Sequence, residues 1–179
     1  RYLAEQEGLS ARIKWDLGAV SLTSTTAHRW FYTESINYDS DTTPALLSQI
    51  GNTESGTNFT QELQLNSNGD GPFTWVLGGF YLRQEAEYDP LRVQSATATT
   101  LITAQQVTEA LAAFADATYT LGDFEITGGL RYSYEKKNYD GQINGNPVVN
   151  NAHKSWDSVT PRVVLAYHPS RDFMAYASF

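Results

Sequence analysis

Cysteine is missing from all 179 residues. Its absence excludes a disulfide framework, a thiolate zinc site and a cysteine nucleophile. No stretch approaches the roughly 18 consecutive apolar residues that a membrane helix needs. Mean hydropathy is only -0.41. Basic residues are few, with 12 Lys+Arg against 20 Asp+Glu and a formal net charge of -8. There is no Lys/Arg run, which argues against a nucleic-acid partner. A Gly-rich phosphate loop, a Gly-x-Ser-x-Gly elbow and a Ser/His/Asp arrangement are all lacking. The chain therefore reads as a non-enzyme with no cofactor and no catalytic site. Arg1-Tyr2-Leu3-Ala4-Glu5 is not a signal peptide, because no apolar core follows the charge. The single methionine is Met174, far from the start, and both ends are read as cuts.

What the chain does have is alternation. Phe124, Ile126, Gly128, Leu130, Tyr132 and Tyr134 share one parity, and Glu125, Thr127, Gly129, Arg131, Ser133 and Glu135 share the other. Period two over about a dozen residues is long for a globular strand and near the spanning length of a tilted membrane strand. A membrane barrel needs apolar residues only at every second position, so a modest hydropathy does not exclude one. Leu9, Ala11, Ile13 and Trp15 repeat the pattern, as do Phe59, Leu63 and Leu65, with Gln61 as an exception. Val159, Val163, Leu165 and Tyr167 repeat it again. Pro161 lacks a donor and is expected near a strand end or bulge. Trp30 and Tyr32 lie along the parity begun by Val20 and Leu22, toward the loop end, as an aromatic girdle would. Between Phe73 and Glu87 both parities start apolar. The facing there stays open, and Gly78-Gly79 marks a bulge or a close approach. Phe114 breaks the alternation of Ala115, Ala117, Tyr119 and Leu121. The segment from Ala104 to Ala113 has good helix propensity, which leaves a short loop helix as an alternative.

The connections sort by length. Tight turns are predicted at Asp16-Leu17-Gly18, Asn68-Gly69-Asp70-Gly71, Gly122-Asp123 and Pro169-Ser170-Arg171-Asp172. Long loops are predicted from Asn37 to Thr57, from Asp89 to Thr108 and from Tyr139 to Ser155. The Ala/Thr-rich tract from Ser95 to Thr103 reads as a mobile surface loop. Turns at one end and loops at the other string an outer-membrane barrel. The fold class is therefore all-β, an antiparallel up-and-down meander of about eight strands forming a segment of a transmembrane β-barrel.

Several strands resemble the barrel of a TonB-dependent receptor of the Gram-negative outer membrane. The residues that carry this are Phe59-Thr60-Gln61-Glu62-Leu63-Gln64-Leu65, Trp75-Val76-Leu77-Gly78-Gly79-Phe80-Tyr81, Gly128-Gly129-Leu130-Arg131-Tyr132, Thr160-Pro161-Arg162-Val163 and Met174-Ala175-Tyr176-Ala177-Ser178-Phe179. Their order and spacing from Phe59 to Phe179 make the match, and the first fifty residues match in style. The resemblance implies that residues 1–179 are part of such a barrel, without a plug domain or an energy-coupling box. It implies a parent that actively takes up a scarce solute, such as a ferric siderophore, haem, cobalamin or an oligosaccharide. The implied partners are outer-membrane lipid, the parent's own plug, a TonB-type energy-coupling protein and a small-molecule or metal-chelate solute. Two other readings stand beside it. One is a complete small eight-stranded outer-membrane barrel with a structural or adhesive role. The other is a soluble ligand-binding barrel with its apolar face inward.

No metal site is predicted. His28, His153 and His168 lack a second histidine at ligand spacing, and Asp39, Asp41 and Asp140 lack the Gly and Glu spacing of a calcium loop. Glu62, Glu85, Glu125, Arg131, Glu135 and Arg162 are expected to face a lumen, where hydration and cross-strand pairing account for them. Binding residues for a solute are not assigned.

Overall fold

The computed structural model describes residues 2–39 and 47–179. Among them the chain is an antiparallel meander of strands β1 (Tyr2–Asp16), β2 (Val20–Asp39), β3 (Ser48–Ser67), β4 (Phe73–Ser95), β5 (Thr99–Leu121), β6 (Phe124–Ile143), β7 (Asn146–Ser170) and β8 (Phe173–Ser178). They form one sheet in the order β1 to β8, each strand bonded to its sequence neighbour. The sheet is open, with β1 and β8 as its two edges. A closed eight-stranded barrel would pair them, so the small-barrel reading does not describe this sheet.

All four predicted turns are present. The Asp16 carboxylate accepts from the Gly18 N–H at 2.9 Å, and Gly18, Gly69 and Gly122 take the positive φ that a Cβ disfavours. The other end differs from expectation. The predicted long loops are largely strand. β4 continues to Ser95, β5 resumes at Thr99, and β6 and β7 are joined by Asn144-Gly145, both at positive φ. Such a two-residue turn matches the right-handed twist of its flanking strands. The Ala/Thr-rich tract begins with a tight reversal, where Ser95 Oγ accepts from the Ala98 N–H at 3.1 Å. Residues 40–46, within the predicted loop from Asn37 to Thr57, lie outside the described residues. The asymmetry survives as strand length. β4, β5 and β7 run to 23, 23 and 25 residues, more than twice the 9–11 of a spanning strand.

No helix forms between Ala104 and Ala113. Those residues pair on both sides, Ala104 with Tyr88 of β4 and with Gly141 of β6. A ladder on each flank satisfies every backbone group, and that outweighs a propensity of a few tenths of a kcal/mol per residue. Pro161 also departs from expectation, sitting inside β7 opposite Leu130 in unbroken register. The reason lies two residues on. Val163 exchanges both backbone bonds with Phe179, so period two turns the Pro161 nitrogen to the same side. Its missing donor takes nothing from the ladder with β6.

Residues paired across the sheet share a face. One row runs Trp15, Leu22, Leu65, Leu77, Ala115, Leu130 and Pro161 from β1 to β7. The neighbouring row on the other face runs Lys14, Thr23, Gln64, Gly78, Phe114, Arg131 and Thr160. The apolar row is the open one: Ile126, Leu130 and Val163 are 49%, 55% and 50% exposed. The buried residues Ser21, Thr23, Thr108 and Ala166 all belong to the other face. Ala166 is the one buried hydrophobic among the described residues. A water-soluble barrel needs the reverse arrangement, with its apolar residues inside.

The apolar face is a band that climbs across the sheet. On β7 its upper limit is Val159, whose row meets β2 at Ser24, yet the band on β2 continues six residues further to Trp30. Six residues over the five strand steps from β7 to β2 corresponds to a tilt of about 40° at strand spacing near 4.8 Å. The lower limit climbs likewise. It falls at Tyr167 on β7 and at Leu65 on β3, whose row meets β7 six residues away at Pro161. That gives about 45°. Both values match strands inclined 35–45° in a barrel wall. Along β6 the band runs from Phe124 to Tyr134, which at this tilt is about 25 Å high, the height of an outer-membrane apolar belt. Aromatic pairs mark its margins. Trp30 stacks on Tyr32 at 6.3 Å and Phe59 meets Tyr81 at 6.2 Å above, while Phe124 stacks on Tyr167 at 4.7 Å below.

Candidate functional site

Gln61, the polar exception on the apolar face, is satisfied there. It accepts from Thr26 Oγ1 at 2.5 Å, and its amide donates to Ser24 Oγ at 3.0 Å and to the Glu62 carbonyl at 3.2 Å. All three side chains are neutral, so the cluster carries no charge into an apolar setting.

The register between β3 and β4 settles the open facing. Leu65 pairs with Leu77, so Trp75, Leu77 and Tyr81 join the apolar band. Val76, Gly78, Phe80 and Leu82 turn to the other face. Gly78-Gly79 is a close approach rather than a bulge. Phe114, paired with Gly78, covers it so closely that a Cβ built on Gly78 would overlap the ring. Gly56 is covered by Phe31 in the same way. Phe114 therefore obeys the alternation. It is a ring on the polar face, seated in the space a glycine leaves. Gly78→Ala should cost about 1–3 kcal/mol through forced movement of that ring. Combined with Phe114→Ala, most of that cost should disappear. Urea unfolding of the intact protein in lipid vesicles measures the cycle, and simply additive costs would refute the coupling.

The polar face holds five of the six charges expected on it: Glu62, Glu125, Arg131, Glu135 and Arg162. Arg162 Nη1 lies 3.5 Å from Asp116 Oδ1 across Gly129, where a Cβ would collide with that carboxylate. Arg131 lies 5.8 Å from the Phe114 ring centroid and donates to Ser133 Oγ at 3.1 Å. Glu62 accepts from Gln64 at 2.7 Å. Glu135 pairs with Lys137 at 3.1 Å. These are cross-strand and same-strand neighbours in a wetted wall.

Glu85 is a correction. It lies on the parity of Leu77 and Tyr81, above the apolar band, not on the polar face. There Arg83 pairs with Glu109 at 2.9 Å and with Glu85 at 3.5 Å, and Gln105 donates to Glu85 at 2.5 Å. A charge is tolerated on this parity only because Glu85 stands four residues past Tyr81, outside the apolar height. The exposed pairs contribute no more than about 1 kcal/mol each.

The remaining polar candidates do not converge. His28 shares a row with Leu9 and Phe59. His153 Nδ1 lies 3.2 Å from the Asn151 carbonyl, and the His168 N–H donates to the Asp123 carbonyl. Asp140 accepts from the Asn151 N–H at 2.6 Å. Asp41 lies outside the described residues. Sequence reasoning missed one cluster, Lys137, Lys154 and Trp156. The two lysines are direct cross-strand partners on the polar face. Their ammonium groups stand 5.9 and 5.3 Å from the Trp156 ring centroid. They are 17 positions apart in the chain, and only the hairpin register joins them.

Comparison with known proteins agrees with this geometry. No curated protein matches the chain by sequence. Solved structures share its fold. The ferric yersiniabactin uptake receptor FyuA from Yersinia pestis superposes with a TM-score of 0.79 at 21% identity, covering 99% of this chain and 27% of that one. The siderophore receptor PiuA from Acinetobacter baumannii gives 0.76 at 13% identity, over 99% and 32%. The ferric citrate transporter FecA gives 0.75 at 14%, over 99% and 27%. The chain thus spans about a quarter to a third of the length of these receptors. A family model described as "TonB dependent receptor-like, beta-barrel" matches residues 2–179. With tilted strands, an apolar band of membrane height and a polar face behind it, the chain belongs to the TonB-dependent receptor β-barrel family.

Proposed function

We propose that this chain is part of the barrel wall of an outer-membrane receptor in a Gram-negative bacterium, one that actively imports a bulky metal chelate, foremost a ferric siderophore. The observation that carries this is the family match over residues 2–179, joined to structural neighbours described as a ferric yersiniabactin uptake receptor, a ferric citrate transporter and a siderophore receptor. The two-faced wall supports it. Lipid solvates the apolar band, and the polar face lines a polar interior. In this reading the parent's own plug fills that interior, and a TonB-type protein supplies energy from the inner membrane. Transport is then a gating problem with no covalent step, and the wall contributes shape, charge and rigidity.

Deletion of the parent gene should abolish cellular accumulation of at least one member of a panel of radiolabelled solutes, foremost ferric chelates. Cells lacking the energy-coupling protein should show the same loss. The panel should include haem, cobalamin, an oligosaccharide and a copper chelate, so that a non-ferric solute shows itself. Unchanged accumulation of every panel member in the deletion strain would remove the transport reading.

A further inference from the structure

Lys137 and Lys154 gather positive charge beside Trp156 in a chain whose formal net charge is -8. Their place in the wall is defined. Val159 is the last apolar-band residue on β7, and Lys154 lies five residues beyond it on the side of the Asn144-Gly145 hairpin. At a strand tilt of about 40°, Lys154 stands about 12 Å above the band on the polar face, and Lys137 and Trp156, three residues beyond Tyr134 and Val159, stand about 8 Å above it. Both ammonium groups fall within the roughly 6 Å over which a cation is held by an indole face. Two like charges drawn to one ring repel each other. Glu135, 3.1 Å from Lys137, offsets one of them. Among the described residues no carboxylate lies within ion-pair distance of Lys154. The group is accessible, with Trp156 44% exposed. Hydroxyls of Ser133 and Ser158, paired across β6 and β7 one same-face position below, add neutral donors.

We propose that Lys137, Lys154 and Trp156 form an anion-recognition site on the inner wall near the mouth of the receptor, taking a flat, delocalised anionic group of the imported chelate, a carboxylate or an aryl oxide. Two ammonium donors meet the oxygens and the indole edge packs against the plane. This rests on the transport reading above and names the charge class of the solute.

Trp156 reports on the site. The chain's other tryptophans, Trp15, Trp30 and Trp75, lie on the apolar parity, and subtracting the emission of Trp156→Phe isolates this one in the intact receptor in detergent. With each quencher normalised to its effect on free N-acetyltryptophanamide, iodide should quench that difference signal at least about twofold more strongly than caesium, and the preference should vanish in the Lys137→Gln/Lys154→Gln variant. The same variant should bind a ferric tricatecholate about tenfold more weakly, while a neutral ferric trihydroxamate should change less than about twofold. Lys137→Arg/Lys154→Arg, which keeps both charges, should retain the iodide preference and controls for misfolding. Equal quenching by iodide and caesium in the unmodified receptor overturns the site. So does an equal loss for both chelates, or a lowered melting temperature with unchanged chelate affinity, which would mean that the lysines serve an internal contact. If the intact receptor binds neither chelate, the ferric-chelate reading fails, and the iodide–caesium contrast still decides the anion site.

Discussion

Leu130→Arg in the intact receptor is expected to lower its stability by about 2–4 kcal/mol, the cost of a guanidinium near the midplane of an apolar belt. Leu130 sits in the middle of the band between Phe124 and Tyr134 and is more than half exposed. The next residue, Arg131, is already a guanidinium and does no harm, because it faces the opposite way toward Phe114 and Ser133. Ser133→Arg, on that wetted face, should change stability by less than about 0.5 kcal/mol, as surface substitutions generally do. Urea unfolding from lipid vesicles measures both. Equal costs for the two substitutions would mean that the faces are not differently solvated, and the barrel-wall account would fall.

The second large effect concerns residues 1–179 produced alone. In detergent-free buffer this segment is expected to aggregate, with no cooperative melting transition. A soluble domain folds by burying apolar surface, and here Ala166 is the only buried hydrophobic among the described residues. The aromatic and aliphatic side chains of the band need hydrocarbon around them. The edges need partners as well, since β1 offers an unpaired run of 15 residues and open edges invite pairing between copies. Size-exclusion chromatography and calorimetry test this. A monodisperse, sharply melting species in plain buffer would contradict it.

Much of this architecture is legible residue by residue. Side chains alternate strictly along an extended backbone, so Phe124, Ile126, Leu130 and Tyr134 reveal a face without reference to any other strand. Turns are equally local. Gly18, Gly69 and Gly122 announce themselves because glycine, having no Cβ, takes positive φ most readily. Where both parities are apolar, local signals cancel. Trp75, Leu77 and Tyr81 could not be told from Val76, Phe80 and Leu82 until Leu65 was found opposite Leu77. The intervals read as loops failed for a related reason. Polar residues at the far end of a barrel strand sit in water on both faces, so hydropathy gives the same signal for a protruding hairpin as for a loop.

The sequence by itself determined the alternation and the tight turns, because each depends on neighbours within a few positions. The tertiary structure alone decided height. It placed Glu85 above the band, seated Phe114 over Gly78, let Pro161 stand mid-strand, and brought Lys137 and Lys154 side by side above the band. Height in a tilted sheet is set by register summed over several strands, and no single strand carries that information.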